Sequence, residues 1–185
     1  MQIMHLTSQP NLSRLIIIDM QIKLASAMDN LALETTRKNC GILLQAAKVL
    51  DVPALYTEQY PKGLGATMPE LEPYLNDIPK VEKNTFSCCE EPKFNRHLTT
   101  DRPQMILAGM EAHICILQTA LSLTANHQVF IAEDAIISRN PSNKANAIHR
   151  LRDAGCIVTN TESVVFEWLK TAENAAFKQI SRLVR

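Results

Sequence analysis

An open, mostly parallel α/β sheet with helices on both faces is the fold class that this chain predicts, on three observations. Short continuous apolar runs recur, as at residues 15–18 and 129–132, and such runs suit strands buried on both faces. Between them lie segments of helical period: over residues 30–50, Leu31, Ile42, Leu43, Ala46, Ala47 and Leu50 mark an amphipathic helix. The two kinds of segment alternate, which calls for crossover connections between parallel strands. At 185 residues the chain is sized for a single domain, residues 1–185, with a substantial core.

Taken in order, residues 15–18 read as the first strand, 30–50 as a long helix and 52–57 as the next strand. Pro61, Gly63 and Gly65 break regular structure, so 60–67 is expected as a shaped loop. Pro69 opens a short helix through Tyr74, and 78–81 form a third strand. Residues 90–98 read weakly as helix, 104–108 as strand, 113–124 as helix and 128–132 as a fifth strand. A helix over 142–153 is closed by Gly155, 156–159 give a sixth short strand, and 163–169 and 175–183 are helical. No internal repeat or low-complexity tract interrupts this order.

The 19 basic and 19 acidic side chains are interspersed and sum to +0, which gives no electrostatic reason to expect nucleic acid or an anionic membrane as partner. Residues 1–9 combine neither a basic segment nor a long apolar run, so no signal peptide is expected. The apolar runs fall far short of the roughly 20 residues that span a bilayer. Five cysteines, an odd number without framework spacing, fit a reducing compartment. A cytoplasmic protein is the expectation. Neither a phosphate loop nor a GxGxxG fingerprint is present, and no cofactor is expected.

The segment Gly109, Met110, Glu111, Ala112, His113, Ile114, Cys115 follows the fourth strand and opens a helix, where parallel α/β folds put their chemistry. Asp19 ends the run 15–18, and Lys83 follows 78–81. An acid, a base and a thiol therefore lie just beyond three separate strands. Singly, each has an ordinary reading: Asp19 capping a turn, Lys83 in solvent, Cys115 as a small core residue. Cys40, Cys88, Cys89 and Cys156 read as inert, with Cys88 and Cys89 in a region that could approach the pocket. His5, His97, His127 and His149 read as surface or packing residues.

These positions fall in the strings IIIDMQ from Ile16, TEQYPKGLG from Thr57, VEKNTFS from Val81, GMEAHICILQTA from Gly109 and AEDAIISR from Ala132. In this order they resemble the isochorismatase-like cysteine hydrolase superfamily, and its small isochorismatase-family hydrolases, over residues 14–183. The resemblance implies a three-layer α/β/α sandwich with a six-stranded, mainly parallel, Rossmann-like sheet. It implies a catalytic triad of Asp19, Lys83 and Cys115. The thiol would attack a carbonyl or related carbon, Asp19 would take and return its proton, and Lys83 would favour the thiolate and orient the acid. Lys83 and the helix start are expected to lower the thiol from its reference near about 8.5. The resemblance further implies a non-proline cis bond between Met110 and Glu111, and an oxyanion hole from the amides of Glu111 and Cys115.

Gln59, Tyr60, Phe86, His113 and Arg139 are possible substrate-pocket residues, each against a plainer reading as a loop, packing or surface residue. Metal-dependent nicotinamidases of the superfamily carry an Asp-x-His element near the position of Thr57, Glu58 and Gln59. That departure predicts no bound metal and argues against nicotinamide hydrolysis. The expected activity is hydrolysis of a small amide, imide or related acyl substrate through a covalent intermediate on Cys115. The alternatives are a non-catalytic ligand-binding or interaction scaffold, a thioesterase, an isochorismate-type vinyl ether hydrolase and, ranked lower, a thiol peroxidase. A homo-oligomer, at least a dimer, is expected, with Val164, Val165, Phe166, Trp168 and Leu169 as a candidate interface against the competing reading of burial within the monomer.

Overall fold

Successive residues of a strand face opposite sides of a sheet, and in β1 (Ser13–Ile18) both sides are buried. The computed structural model describes residues 6–185; His5 and the start of the 1–9 stretch lie outside them. The remaining strands are β2 (Ala54–Gln59), β3 (Lys80–Lys83), β4 (Gln104–Met110), β5 (Gln128–Ile137) and β6 (Ile157–Thr159). They form one sheet in the order β3-β2-β1-β4-β5-β6, parallel at every pairing. The helices are α1 (Ile22–Ala25), α2 (Asn30–Val49), α3 (Pro61–Leu64), α4 (Pro92–Asn95), α5 (Leu117–Leu123), α6 (Pro141–Asp153), α7 (Thr161–Leu169) and α8 (Phe177–Ile180).

The strand alternation sorts the core into two layers. Leu15, Ile17, Ile106, Ala108, Phe130 and Ala132 pack with Leu43 and Ala47 of α2 and Val164, Val165 and Trp168 of α7. Their neighbours Ile16, Ile18, Met105, Leu107, Val129 and Ile131 pack on the other side with Leu117 and Ala120 of α5 and Leu151 of α6. The result is a three-layer α/β/α sandwich, as the sequence predicts. The long helices start at side-chain caps: Asp29 accepts from Ala32 N, Asn140 from Ser142 N and Asn160 from Ser163 N, each satisfying a backbone donor that the first turn leaves unpaired.

From β1 the chain winds outward to β2 and β3, then returns to place β4 on the other side of β1 and continues to β5 and β6. The reversal leaves a crevice beyond the carboxyl ends of β1 and β4, the place where open α/β sheets hold ligands. The two strands lie close there. Ile18 pairs with Gly109, and a Cβ on Gly109, whose φ is 120°, would collide with the carbonyl oxygen of Ile18.

Several boundaries differ from the sequence reading. β3 extends to Lys83, so the lysine is its last residue. β5 runs to Ile137, because Glu133 and Asp134 are only half-buried and the apolar run resumes at Ala135. The helix expected at 113 begins as a π-turn over Ala112–Ile116 and becomes α5 at Leu117. The expected loop over 60–67 contains the single turn α3, and α1 follows Gln21; both are too short to show a period.

The proposed C-terminal interface needs correction. Val164, Val165, Trp168 and Leu169 are all at most 1% exposed within this one chain, and Trp168 Nε1 donates to Ser13 Oγ at 3.1 Å. They are core residues. Phe166 is exposed at its edge and meets Phe177 in a T-shaped contact with ring centroids 6.2 Å apart. Among the described residues, no helix is long and apolar enough to cross a membrane.

Candidate active site

Asp19 follows β1 with a φ of 51°, the left-handed region that aspartate tolerates better than most residues. Its amide donates to the Thr57 carbonyl at 3.1 Å, and the Thr57 hydroxyl donates to Oδ1 at 2.6 Å. The other carboxylate oxygen, Oδ2, meets Lys83 Nζ at 2.7 Å, with both side chains 0% exposed. β2 thus separates the acid from the base in the sheet and supplies the hydroxyl that fixes the acid.

Lys83 Nζ is the centre of the cluster. It donates to Asp19 Oδ2 and, at 2.6 Å, to Gln59 Oε1. The carbonyls of Thr85 and Phe86 lie 3.3 and 3.4 Å away, and Cys115 Sγ lies 3.6 Å away. Burial opposes the charge of the ammonium, but Asp19 and the thiols of Cys88 and Cys115 more than offset this and hold it above the ordinary lysine value.

Cys115 is 5% exposed and lies in the π-turn beyond β4. Burial pushes its thiol upward, the Asp19 carboxylate adds to this, and Lys83 opposes without prevailing. The expected lowering of this thiol is therefore corrected: burial and the Asp19 carboxylate favour its protonated form. Cys88, also fully buried, is pushed up to about 12 by burial, with Lys83 pulling the other way. Its amide donates to Thr119 Oγ1 at 2.9 Å, which ties the segment after Lys83 to the helix that carries Cys115.

A model of the isochorismatase domain matches residues 13–163. The chain belongs to the isochorismatase family. Among its isochorismatase relatives, the secreted isochorismatase effector Isc1 of Phytophthora sojae is 38% identical over 160 residues, covering 83% of this chain and 76% of that protein. Isochorismatase family protein 1B of Dictyostelium discoideum is 34% identical over 178 residues, covering 92% and 85%. A solved structure described as the MAR1 ribonuclease of Caenorhabditis elegans is 32% identical and superposes with a TM-score of 0.89, covering 96% of this chain and 92% of that one.

In this isochorismatase-family chain Asp19, Lys83 and Cys115 come together, and Gln59 joins them. The carboxamide of Gln59, expected as a possible substrate-pocket residue, is taken up internally, by Lys83 and by the Asn84 carbonyl at 2.8 Å. Tyr60 and Phe86 are 53% and 55% exposed, one residue after Gln59 and three after Lys83. The Tyr60 amide donates to the Lys83 carbonyl at 2.8 Å, and its ring lies over Gly63, where a Cβ would strike it.

Glu111, His113 and Arg139 form a neighbouring group. The peptide between Met110 and Glu111 is cis. The Glu111 carboxylate is buried and accepts from the Arg139 amide at 3.1 Å, with the Arg139 guanidinium 3.2 Å away. His113 Nδ1 shares a hydrogen bond of 2.9 Å with Ser138 Oγ. Among the described residues no group of three His, Cys, Asp or Glu side chains is arranged to hold a metal ion.

Residues that the sequence reading passed over complete the site: Thr57, Ser138 and Gln21. Gln21 is 0% exposed and bonds the main chain of Gln59 at both ends. Its signal was a polar residue two places after a strand-end acid, in the string IIIDMQ.

Proposed function

We propose that this isochorismatase-family chain is a cysteine hydrolase that acts on a small amide, imide or related acyl compound through a covalent intermediate on Cys115. The observation that carries the reading is a buried Lys83 ammonium within 2.7 Å of a carboxylate and 3.6 Å of a thiol. That arrangement holds an acid–base group and a nucleophile at one point and keeps water from screening them.

In this mechanism the Asp19 carboxylate takes the Cys115 proton as the sulfur attacks the substrate carbonyl. Lys83 then faces the negative charge that has moved onto sulfur and substrate. The amides of Glu111 and Cys115 stabilise the tetrahedral oxyanion, and the protonated Asp19 gives its proton to the leaving nitrogen. Water next attacks the thioester, with Asp19 again as base, and the acid product leaves with the free thiol restored. Thr57, bonded to the far carboxylate oxygen, keeps Asp19 in place throughout. Tyr60 and Phe86 supply apolar surface at the mouth, and His113 and Arg139 its polar side.

A second reading, RNA cleavage, is favoured by the relative described as a ribonuclease. A balanced net charge gives little electrostatic support for a polyanion. Mass spectrometry of a panel of small amides, imides, esters and carbamoyl compounds, with a single-stranded RNA in parallel, separates the two. Release of a carboxylic acid by the wild type but not by Cys115→Ala supports the hydrolase. RNA cleavage alone, or ligand binding without any product, would replace it with the ribonuclease or the scaffold. Assembly into at least a dimer and a cytoplasmic setting complete the proposal. A mass of 20.7 kDa at all concentrations would contradict the dimer.

A further inference from the structure

We propose that Gln59 is a positioning residue that holds the Lys83 ammonium between Asp19 and Cys115 throughout the reaction; this rests on the triad proposed above. Lysine carries three donors and accepts nothing, so the 2.6 Å contact to Nζ must be made by the carboxamide oxygen of Gln59. Its nitrogen is then correctly placed to donate to the Asn84 carbonyl at 2.8 Å. Both ends of the carboxamide are committed and the residue is 8% exposed.

The main chain of Gln59 is held just as firmly. Its amide donates to Gln21 Oε1 at 2.7 Å, and its carbonyl accepts from Gln21 Nε2 at 3.0 Å. The same Nε2 donates to the Gly65 carbonyl at 2.6 Å, so the side chain of Gln21 joins the turns after β1 and β2. Gln59 therefore meets Lys83 from a fixed base.

The chemistry needs such a partner. When Asp19 takes the thiol proton its charge is lost, and the negative charge passes to a sulfur on the other side of the ammonium. An ammonium held by Asp19 and the two longer carbonyl contacts alone would be drawn to whichever group carries the charge. Gln59 is neutral in both states and keeps a short bond in each. A carboxylate at position 59 would compete with the thiolate for Lys83, and an apolar side chain would leave the ammonium only the longer contacts to the Thr85 and Phe86 carbonyls, at 3.3 and 3.4 Å, as neutral oxygen acceptors.

Alkylation by iodoacetamide, followed at each cysteine by peptide mass spectrometry, tests this without any substrate. Gln59→Glu and Gln59→Met keep the size of the side chain. Cys115 should react about tenfold more slowly in Gln59→Glu, the change for a thiol raised by about one pH unit, and several-fold more slowly in Gln59→Met. Half-buried Cys89 serves as reference; its rate should stay within twofold of wild type. A merely structural role predicts the opposite, faster reaction of both cysteines as the fold loosens. Acceleration of both, or unchanged Cys115 rates in both variants, would overturn the proposal. Failure of the hydrolase reading would appear instead as absence of product from a wild-type protein whose Cys115 still depends on Gln59.

Discussion

Asp19 and Lys83 meet at 2.7 Å with neither side chain exposed to solvent. Two charges removed from water in this way depend on each other, because loss of one leaves the other buried and unpaired. Asp19→Asn and Lys83→Met should each lower stability by about 3–5 kcal/mol, measured by urea unfolding. The double variant should lose less than the sum of the two, since it leaves no orphan charge. Additive losses would mean that the pair is not coupled. Asp19→Asn should also lower turnover by about 100-fold or more, as expected for removal of a general base.

Gly109 pairs with Ile18, the residue before Asp19. Gly109→Ala combines a strained φ of 120° with a collision against the Ile18 carbonyl. Strain and overpacking each cost about 1–3 kcal/mol, so a loss of about 3 kcal/mol or more is expected on thermal or chemical unfolding. Neither Gly65 nor Gly155 faces any atom in the path of a Cβ, and alanine there should cost less.

Raised thiols give the protein an alkaline limit. Burial pushes Cys40, Cys88, Cys115 and Cys156 above the ordinary thiol value near 9.0. The unfolded chain releases these protons once pH passes about 9, whereas the folded chain keeps them. Stability is therefore full below that value and falls as pH rises, by about 1.4 kcal/mol per pH unit for each thiol counted in full. Urea midpoints at pH 8, 9 and 10 should decline in that order, and Cys40→Ala should flatten the decline. Equal midpoints would contradict it.

The parallel sheet is legible because residues 15–18 and 105–108 are buried on both faces, which leaves an uninterrupted apolar run in the sequence. The ends of strands were equally legible where a charged residue stops such a run, as at Asp19. Lys83 is the last residue of β3, two residues past the strand end that the sequence predicts: β3 is an edge strand with Lys80 and Glu82 exposed, and its alternation hides where it ends. Trp168 stays open between core and interface in the sequence because an apolar helix face looks the same whether it covers a sheet or a second molecule. Gln21 goes unnoticed in the sequence, and Gln59 is expected there only as a possible pocket residue, for a different reason. A buried carboxamide is indistinguishable from a surface one until its partners are known, and theirs come from three separate turns of the chain.

Intact-mass measurement during turnover tests the central claim most directly. With a substrate found in the acyl screen, rapid acid quenching should trap protein heavier by the mass of the acyl group. Peptide mapping should place the addition on Cys115, and Cys115→Ala should show neither adduct nor product. Product formation at wild-type rates by a folded Cys115→Ala protein, with no adduct on any cysteine of the wild type, would contradict the account.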